Sequence, residues 1–180
     1  MVSPIFVANC IKKTFKYTYM KIRTIEINDY SDVTDIYNYY IKNSNAAFLE
    51  RNIDVKFVES LYDSTLANSF LVLDNEEQVV GFALLKEFLP IENFSRTASI
   101  TYFISPKYTR CGFGSLFIDE LTKYANEHDI DNFIAAISSD NIQSINFHKK
   151  KGFQLCGTFN NVGFKSNNNF SIVYMQKYIK

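Results

Sequence analysis

The 180-residue chain has no tryptophan, 3 prolines, 3 cysteines, 2 histidines and 6 glycines. Each scarcity excludes something. Cys10, Cys111 and Cys156 form an odd, scattered set without a CxxC pair, which supports neither a zinc site nor a disulfide framework. A reduced, cytoplasmic setting is the expectation. Lys plus Arg balances Asp plus Glu at 19 each, for a formal net charge of +0. No basic excess points to nucleic acid, and no acidic tail points to disorder. No apolar run is long enough to span a bilayer, so no membrane partner is expected. Pro4-Ile5-Phe6-Val7-Ala8 is apolar, but no basic segment precedes it, which argues against a signal peptide.

What is present is apolar and aromatic. Hydrophobic residues make up 47% of the chain, with 17 Phe and 12 Tyr, which predicts a Phe-rich core. The length suits one domain. Met20-Lys21-Ile22-Arg23 reads as an ordinary protein start. Residues 1–19 are therefore expected to be an extension dispensable for folding, and 20–180 the domain.

Periodicity gives the element order. Lys21 to Ile25 alternates as a strand. A helix over residues 29–43 follows, capped by Asn28 or Asp29. Asp54 starts a second helix carrying Phe57, Val58, Leu61 and Leu66. Residues 70–73 and 79–85 are strands joined at Asp74-Asn75-Glu76-Glu77. Ala98 to Ile104 is a strand ended by Ser105-Pro106. A helix runs to about His128, then a buried strand covers 133–137, and a short helix covers Ile142 to Lys150. Two strands, 154–162 and 170–178, flank a loop over 163–169. Only the middle has βαβ character, so the expected class is α/β (α+β) with a mixed, mostly antiparallel sheet.

Two of the scarce glycines stand together in Tyr108-Thr109-Arg110-Cys111-Gly112-Phe113-Gly114-Ser115, between a strand and a helix. A helix N-terminus offers N–H donors and partial positive charge. Glycines there let a phosphate oxygen approach the backbone, or simply make a tight turn. GxGxxG fails, because Phe117 holds the third glycine's place, and no Gly-Lys-Ser/Thr follows. A second block reads Asn141-Ile142-Gln143-Ser144-Ile145-Asn146-Phe147-His148-Lys149-Lys150-Lys151-Gly152-Phe153.

Together these blocks resemble the GNAT acetyltransferase superfamily, whose [QR]xxGx[GA] pyrophosphate loop precedes an NxxSxxLYExxGF-like segment. Thr109 stands where that loop has Gln or Arg. Asn38 to Phe48 (NYYIKNSNAAF) is similar to a signature of the phosphinothricin N-acetyltransferase-like branch. Gly157-Thr158, Gly163-Phe164-Lys165 and Val173 to Lys177 continue the likeness, which covers Met20 to the C-terminus. It implies a GNAT fold with helices on both faces and a splayed central strand. It implies direct acetyl transfer from acetyl-CoA to a small-molecule amine in a ternary complex, with no metal. Nucleic acid and membrane stay excluded as partners, and a homodimer is implied by the resemblance alone.

The resemblance also assigns residues. Pantetheine would lie beside Tyr102, Phe103 and Ile104. Thr109, Arg110, Cys111, Gly112, Phe113, Gly114 and Ser115 would hold pyrophosphate, with Asn141 and Ser144 contacting CoA. His148 would be the acid for the departing thiolate or a polar anchor near the sulfur. Alignment through Gly112 puts Ser99 where the branch often has Glu, so Ser99 is a catalytic-position candidate that is a poor base. Glu87 and Glu92 flank the preceding loop, and the base stays unassigned. Phe48, Leu89, Pro90, Ile91, Ser99, Ile100 and Thr101 would line the acceptor pocket. Cys111 is expected to be a structural thiol. Two other readings remain: a non-catalytic CoA-binding sensor, motivated by Thr109 and Ser99, and a protein or peptide N-terminal acetyltransferase.

Overall fold

The computed structural model describes residues 5–7 and 18–179. The expected extension over 1–19 lies mostly outside the described residues. Its described part includes β1 (Ile5–Val7), which pairs antiparallel with β2 (Thr18–Thr24), Ile5 opposite Met20. The first strand of the domain thus starts earlier than Lys21.

The described residues fall into two compact units. One contains β2, β3 (Leu71–Asp74), most of β4 (Val79–Glu87), the end of β5 (Thr97–Ile104), α2 (Val55–Asp63) and most of α3 (Phe113–Glu127). β2 and β4 flank β3 antiparallel. Asp54 caps α2, its carboxylate accepting the Phe57 N–H at 3.0 Å, as the sequence suggested. The start of α1 (Tyr30–Asn43) differs from the expectation. A 3-10 turn, Ile27–Asp29, precedes it, and Asp29 closes a capping box by accepting the Glu26 N–H at 2.7 Å. Arg23 then holds Asp29 through both guanidinium nitrogens, at 2.6 and 2.8 Å, and reaches Asp74 at 2.9 Å. The core of this unit is aromatic. Phe82 packs between Phe70 and Phe103, and Phe113 and Phe117 are fully buried. Seven consecutive residues of β4 are buried, so its apolar run is continuous rather than alternating.

The second unit holds Tyr37–Asn52, Lys86–Ile100 and Tyr124 onward. Its strands are the beginning of β5, then β6 (Asn132–Ser138), β8 (Asn168–Tyr178) and β7 (Gln154–Lys165) at the edge. β8 runs antiparallel to both β6 and β7. β5 and β6 are parallel, with pairing from Thr97↔Asn132 to Ser99↔Ile134. The ladder stops there although both strands run on, to Ile104 and Ser138. This is the splayed strand. α4 (Ile142–Lys150) crosses from β6 to β7.

The expected loop over 163–169 is instead a tight hairpin. β7 continues to Lys165 and β8 begins at Asn168, leaving Ser166 and Asn167 as the turn. Their φ values of 50° and 63° match the two-residue turn that a twisted hairpin demands. Gly163 serves a different need. A Cβ there would collide with the Phe170 ring, so glycine lets that ring lie across β7. Phe170 in turn stacks on Phe48, with centroids 5.8 Å apart. Gly163→Ala should therefore displace Phe170 and destabilise the fold by about 1–3 kcal/mol. Urea unfolding monitored by circular dichroism checks this, and an unchanged midpoint would refute it.

Candidate active site

In the first unit, the glycine turn follows a 3-10 turn, Pro106–Tyr108. The chain leaves the extended region at Arg110 (φ 63°) and Gly112 (φ 86°), then enters α3. The Gly112 carbonyl accepts the Ser115 N–H at 2.9 Å, so Gly112 is the helix cap and Phe113 and Gly114 are in the first turn. N–H groups of a first turn have no intrahelical acceptor. A Cβ at Gly112 would meet no heavy atom within 4 Å. The glycine thus supplies the left-handed backbone and leaves an open approach to the turn, which fits a phosphate cradle. Arg110 is exposed beside it. The Thr109 hydroxyl donates to the Pro106 carbonyl at 2.9 Å, so this side chain braces its own loop. Phe103 and Phe113 are buried in the core, and any ligand contact there is through backbone. Tyr102, Ile104 and Ser115 are half-buried.

Cys111 departs from expectation. It is disulfide-bonded, whereas Cys156 is free. It therefore offers no thiolate for covalent chemistry.

In the second unit, Asn141 caps α4, its side-chain oxygen accepting the Ser144 N–H at 3.0 Å. One turn on, His148 is buried beneath Phe147 and Phe153, both edge-on to its ring. Its Nδ1–H donates to the Ser144 carbonyl at 2.8 Å, with the Ser144 hydroxyl at 3.3 Å. A carbonyl can only accept, so this fixes the tautomer and leaves the lone pair on Nε2. Burial pulls the His148 pKa below the ordinary histidine value, opposed by the Ser144 hydrogen bond. A neutral ring of this kind is an acceptor. That state fits the polar-anchor role better than a standing acid.

The acceptor-side residues lie in the same unit. Ser99 and Thr97 are half-buried on β5, whereas Ile100 is buried and presents only backbone. Leu89 and Ile91 are exposed at 38% and 54% on a loop that ends in a 3-10 turn, Glu92–Phe94. Pro90, Glu87 and Glu92 are exposed too. Phe48 is 40% exposed and stacked on Phe170, so it is a surface wall rather than a core side chain. Thr101 falls in the first unit.

Sequence reasoning missed two groups. Lys165 is buried, and its ammonium donates to the Ser44 and Ala47 carbonyls at 2.7 and 2.8 Å, with burial lowering its pKa against the opposing pull of Glu50. The Glu50 carboxylate accepts the Ser166 N–H at 3.2 Å. The segment carrying Phe48 is thus fastened to the hairpin on both sides of that ring. The second is Lys86, half-buried at the end of β4. A lysine after an apolar run reads as solvated, so neither gave a signal. Among the described residues, no group of His, Cys, Asp or Glu could hold a metal ion, and no helix is long and apolar enough to cross a membrane.

The chain belongs to the family described as the acetyltransferase (GNAT) domain, which it matches over residues 22–173. It is similar to an L-methionine sulfoximine/L-methionine sulfone acetyltransferase of Pseudomonas aeruginosa, at 25% identity over 86% of this chain and 92% of that protein. A ribosomal-protein-alanine N-acetyltransferase structure from Brucella melitensis superposes with a TM-score of 0.82, at 29% identity, covering 88% of this chain and 99% of that one. A phosphinothricin acetyltransferase from Sinorhizobium meliloti in complex with acetyl-CoA gives a TM-score of 0.82 at 22% identity, over 88% of each chain. The fold is that of the GNAT acetyltransferases, and the co-substrate is acetyl-CoA.

Two measurements probe these groups. Gly112→Val should weaken acetyl-CoA binding at least tenfold (about 1.4 kcal/mol) by titration calorimetry. Gly152 has the same φ of 86° and no neighbour within 4 Å, so Gly152→Val controls for backbone strain. Equal binding by the two variants would refute the phosphate cradle. For His148 the sign runs toward acid instability. Its folded pKa lies below the unfolded value of about 6.5, so the unfolded state binds the extra proton as pH falls through that value. The loss of Tm between pH 7 and pH 5 should be smaller in His148→Gln than in the wild type, by thermal denaturation.

Proposed function

We propose that this chain acetylates the primary amine of a small molecule related to amino acids, of the kind exemplified by methionine sulfoximine, methionine sulfone and phosphinothricin. The glycine turn carries the reading. It combines a helix N-terminus, left-handed backbone and open space at Gly112, where an acyl-CoA pyrophosphate needs donors and close approach. The acceptors named for the relatives give the substrate class.

In the reaction, the neutral amine nitrogen attacks the thioester carbon, a C–N bond forms, the nitrogen gives up one proton to water, the C–S bond breaks, and CoA departs as a thiolate that takes up one proton. The residues of this chain divide the work. Backbone of Thr101 to Ile104 aligns the pantetheine arm as an added strand would, and its N–H groups steady the developing oxyanion. Residues 109–115 hold the pyrophosphate, with Arg110 adding charge. Asn141 and Ser144 contact CoA from α4. His148, neutral and fixed by Ser144, anchors the sulfur. Phe48, Leu89, Pro90, Ile91, Ser99, Ile100 and Thr101 bound the acceptor, with Ile100 acting through backbone. Ser99 positions a water or the amine and does not itself act as a base. A cytoplasmic setting, a homodimer and the dispensability of residues 1–19 belong to the same proposal.

The test is CoA release from acetyl-CoA across glufosinate, methionine sulfoximine, methionine sulfone, free amino acids, polyamines and short peptides. Turnover should favour the amino-acid analogues. Preference for peptides would replace this reading with peptide acetylation. Tight acetyl-CoA binding without turnover on any amine would replace it with a CoA-binding role.

A further inference from the structure

The structure points to a binding role for Lys86. We propose that the Lys86 ammonium is the anion-recognition group of the acceptor site, holding the carboxylate of an amino-acid acceptor beside Ser99. This rests on the acetyltransferase reading above and names its substrate class more closely: acceptors that carry a carboxylate next to the amine.

Strand register places the group. The Phe88 N–H donates to the Thr97 carbonyl at 3.3 Å, and the Ser105 N–H donates to the Val80 carbonyl at 2.8 Å. One residue number rises as its partner falls, so the strands are antiparallel. Stepping two residues from Phe88 and Thr97 sets Lys86 opposite Ser99. Opposite residues on an antiparallel pair share a face, with Cβ atoms about 4.5–5.5 Å apart. Glu87, next along the strand, points to the other face and is exposed.

Lys86 is not alone in being half-buried, since Lys21, Lys151 and Lys177 are too, but it lies at the end of a buried strand and opposite Ser99. Arg23 is answered by Asp29 and Asp74, and Lys165 by two carbonyls with Glu50 nearby. Lys86 is half-buried at the end of seven buried β4 residues, yet among the described residues it makes no ion pair and no side-chain hydrogen bond. Burial lowers its pKa, and an anion brought to it would favour the charged form. The identity of residue 99 decides where that anion comes from. A glutamate there would neutralise Lys86 from within the sheet. Serine leaves the cation to be answered from outside, and its hydroxyl can share the same carboxylate. A substrate carboxylate on Lys86 would carry its neighbouring amine to the Ser99 segment of β5, at the point where the β5–β6 ladder ends.

The experiment compares two acceptors that differ only in the carboxylate: methionine sulfone and its decarboxylated counterpart, 3-(methylsulfonyl)propan-1-amine. The quantity read is the ratio of their kcat/KM values. The wild type should favour methionine sulfone. Lys86→Met should collapse that ratio by about 10- to 100-fold, chiefly through the KM of methionine sulfone, as expected for loss of a charge-assisted hydrogen bond. Lys86→Arg should keep most of the ratio. Ser99→Glu, which supplies an internal carboxylate, should lower the ratio without touching Lys86 and stands in if Lys86→Met fails to fold. An unchanged ratio in Lys86→Met, equal losses on both acceptors, or a wild type that prefers the decarboxylated amine would each overturn the proposal and leave acetyl transfer standing. Silence of the wild type on every amine would overturn both.

Discussion

A ladder of three residue pairs, Thr97 to Ser99 against Asn132 to Ile134, is the constraint on which the remainder turns. Parallel strands are joined by slanted main-chain bonds, and here those bonds stop at Ser99↔Ile134 while both strands continue. In the proposed function the acyl-CoA arm lies beside β5 beyond that point. The same stopping point falls at position 99, the last ladder residue on β5, which the proposed function sets beside the acceptor amine.

The elements were legible because their signals are local. A glycine pair after a strand announces a helix start, and Asp54 announces another, its carboxylate capping α2 at 3.0 Å. The mixed, mostly antiparallel sheet followed from element order. What could not be read were distant pairings. Nothing near Lys165 in sequence says that its ammonium meets carbonyls more than a hundred residues away. Nothing near Phe48 indicates Phe170. Ser166 and Asn167 looked like part of a long polar loop because asparagine and serine suit any turn, and only strand pairing shows that two residues suffice.

Three of the buried or half-buried cations, Arg23, Lys165 and Lys86, show a graded logic. A charge withdrawn from water needs compensation, and the penalty falls when hydrogen bonds supply it. Arg23 has two carboxylates and serves as a structural tie between β2, the turn before α1 and β3. Lys165 has carbonyl dipoles and serves as a tether for one surface segment. Lys86 has neither. The fold satisfies Arg23 and Lys165, which hold it together, and gives Lys86, the group proposed above to recognise the acceptor, no such partner among the described residues.

β7 carries a different consequence. It lies at the sheet edge for twelve residues and exposes Leu155, Phe159, Val162 and Phe164. A long apolar edge is a template on which another strand can add. Here the register slips twice, between Leu155 and Gly157 and between Phe159 and Gly163, with Asn161 at a φ of 55°. Each slip bends the strand and breaks the spacing that an incoming strand would need. With a net charge of zero, electrostatic repulsion does little to keep copies of this chain apart. The irregular shape of β7 is then one device against edge-to-edge pairing of copies at this strand.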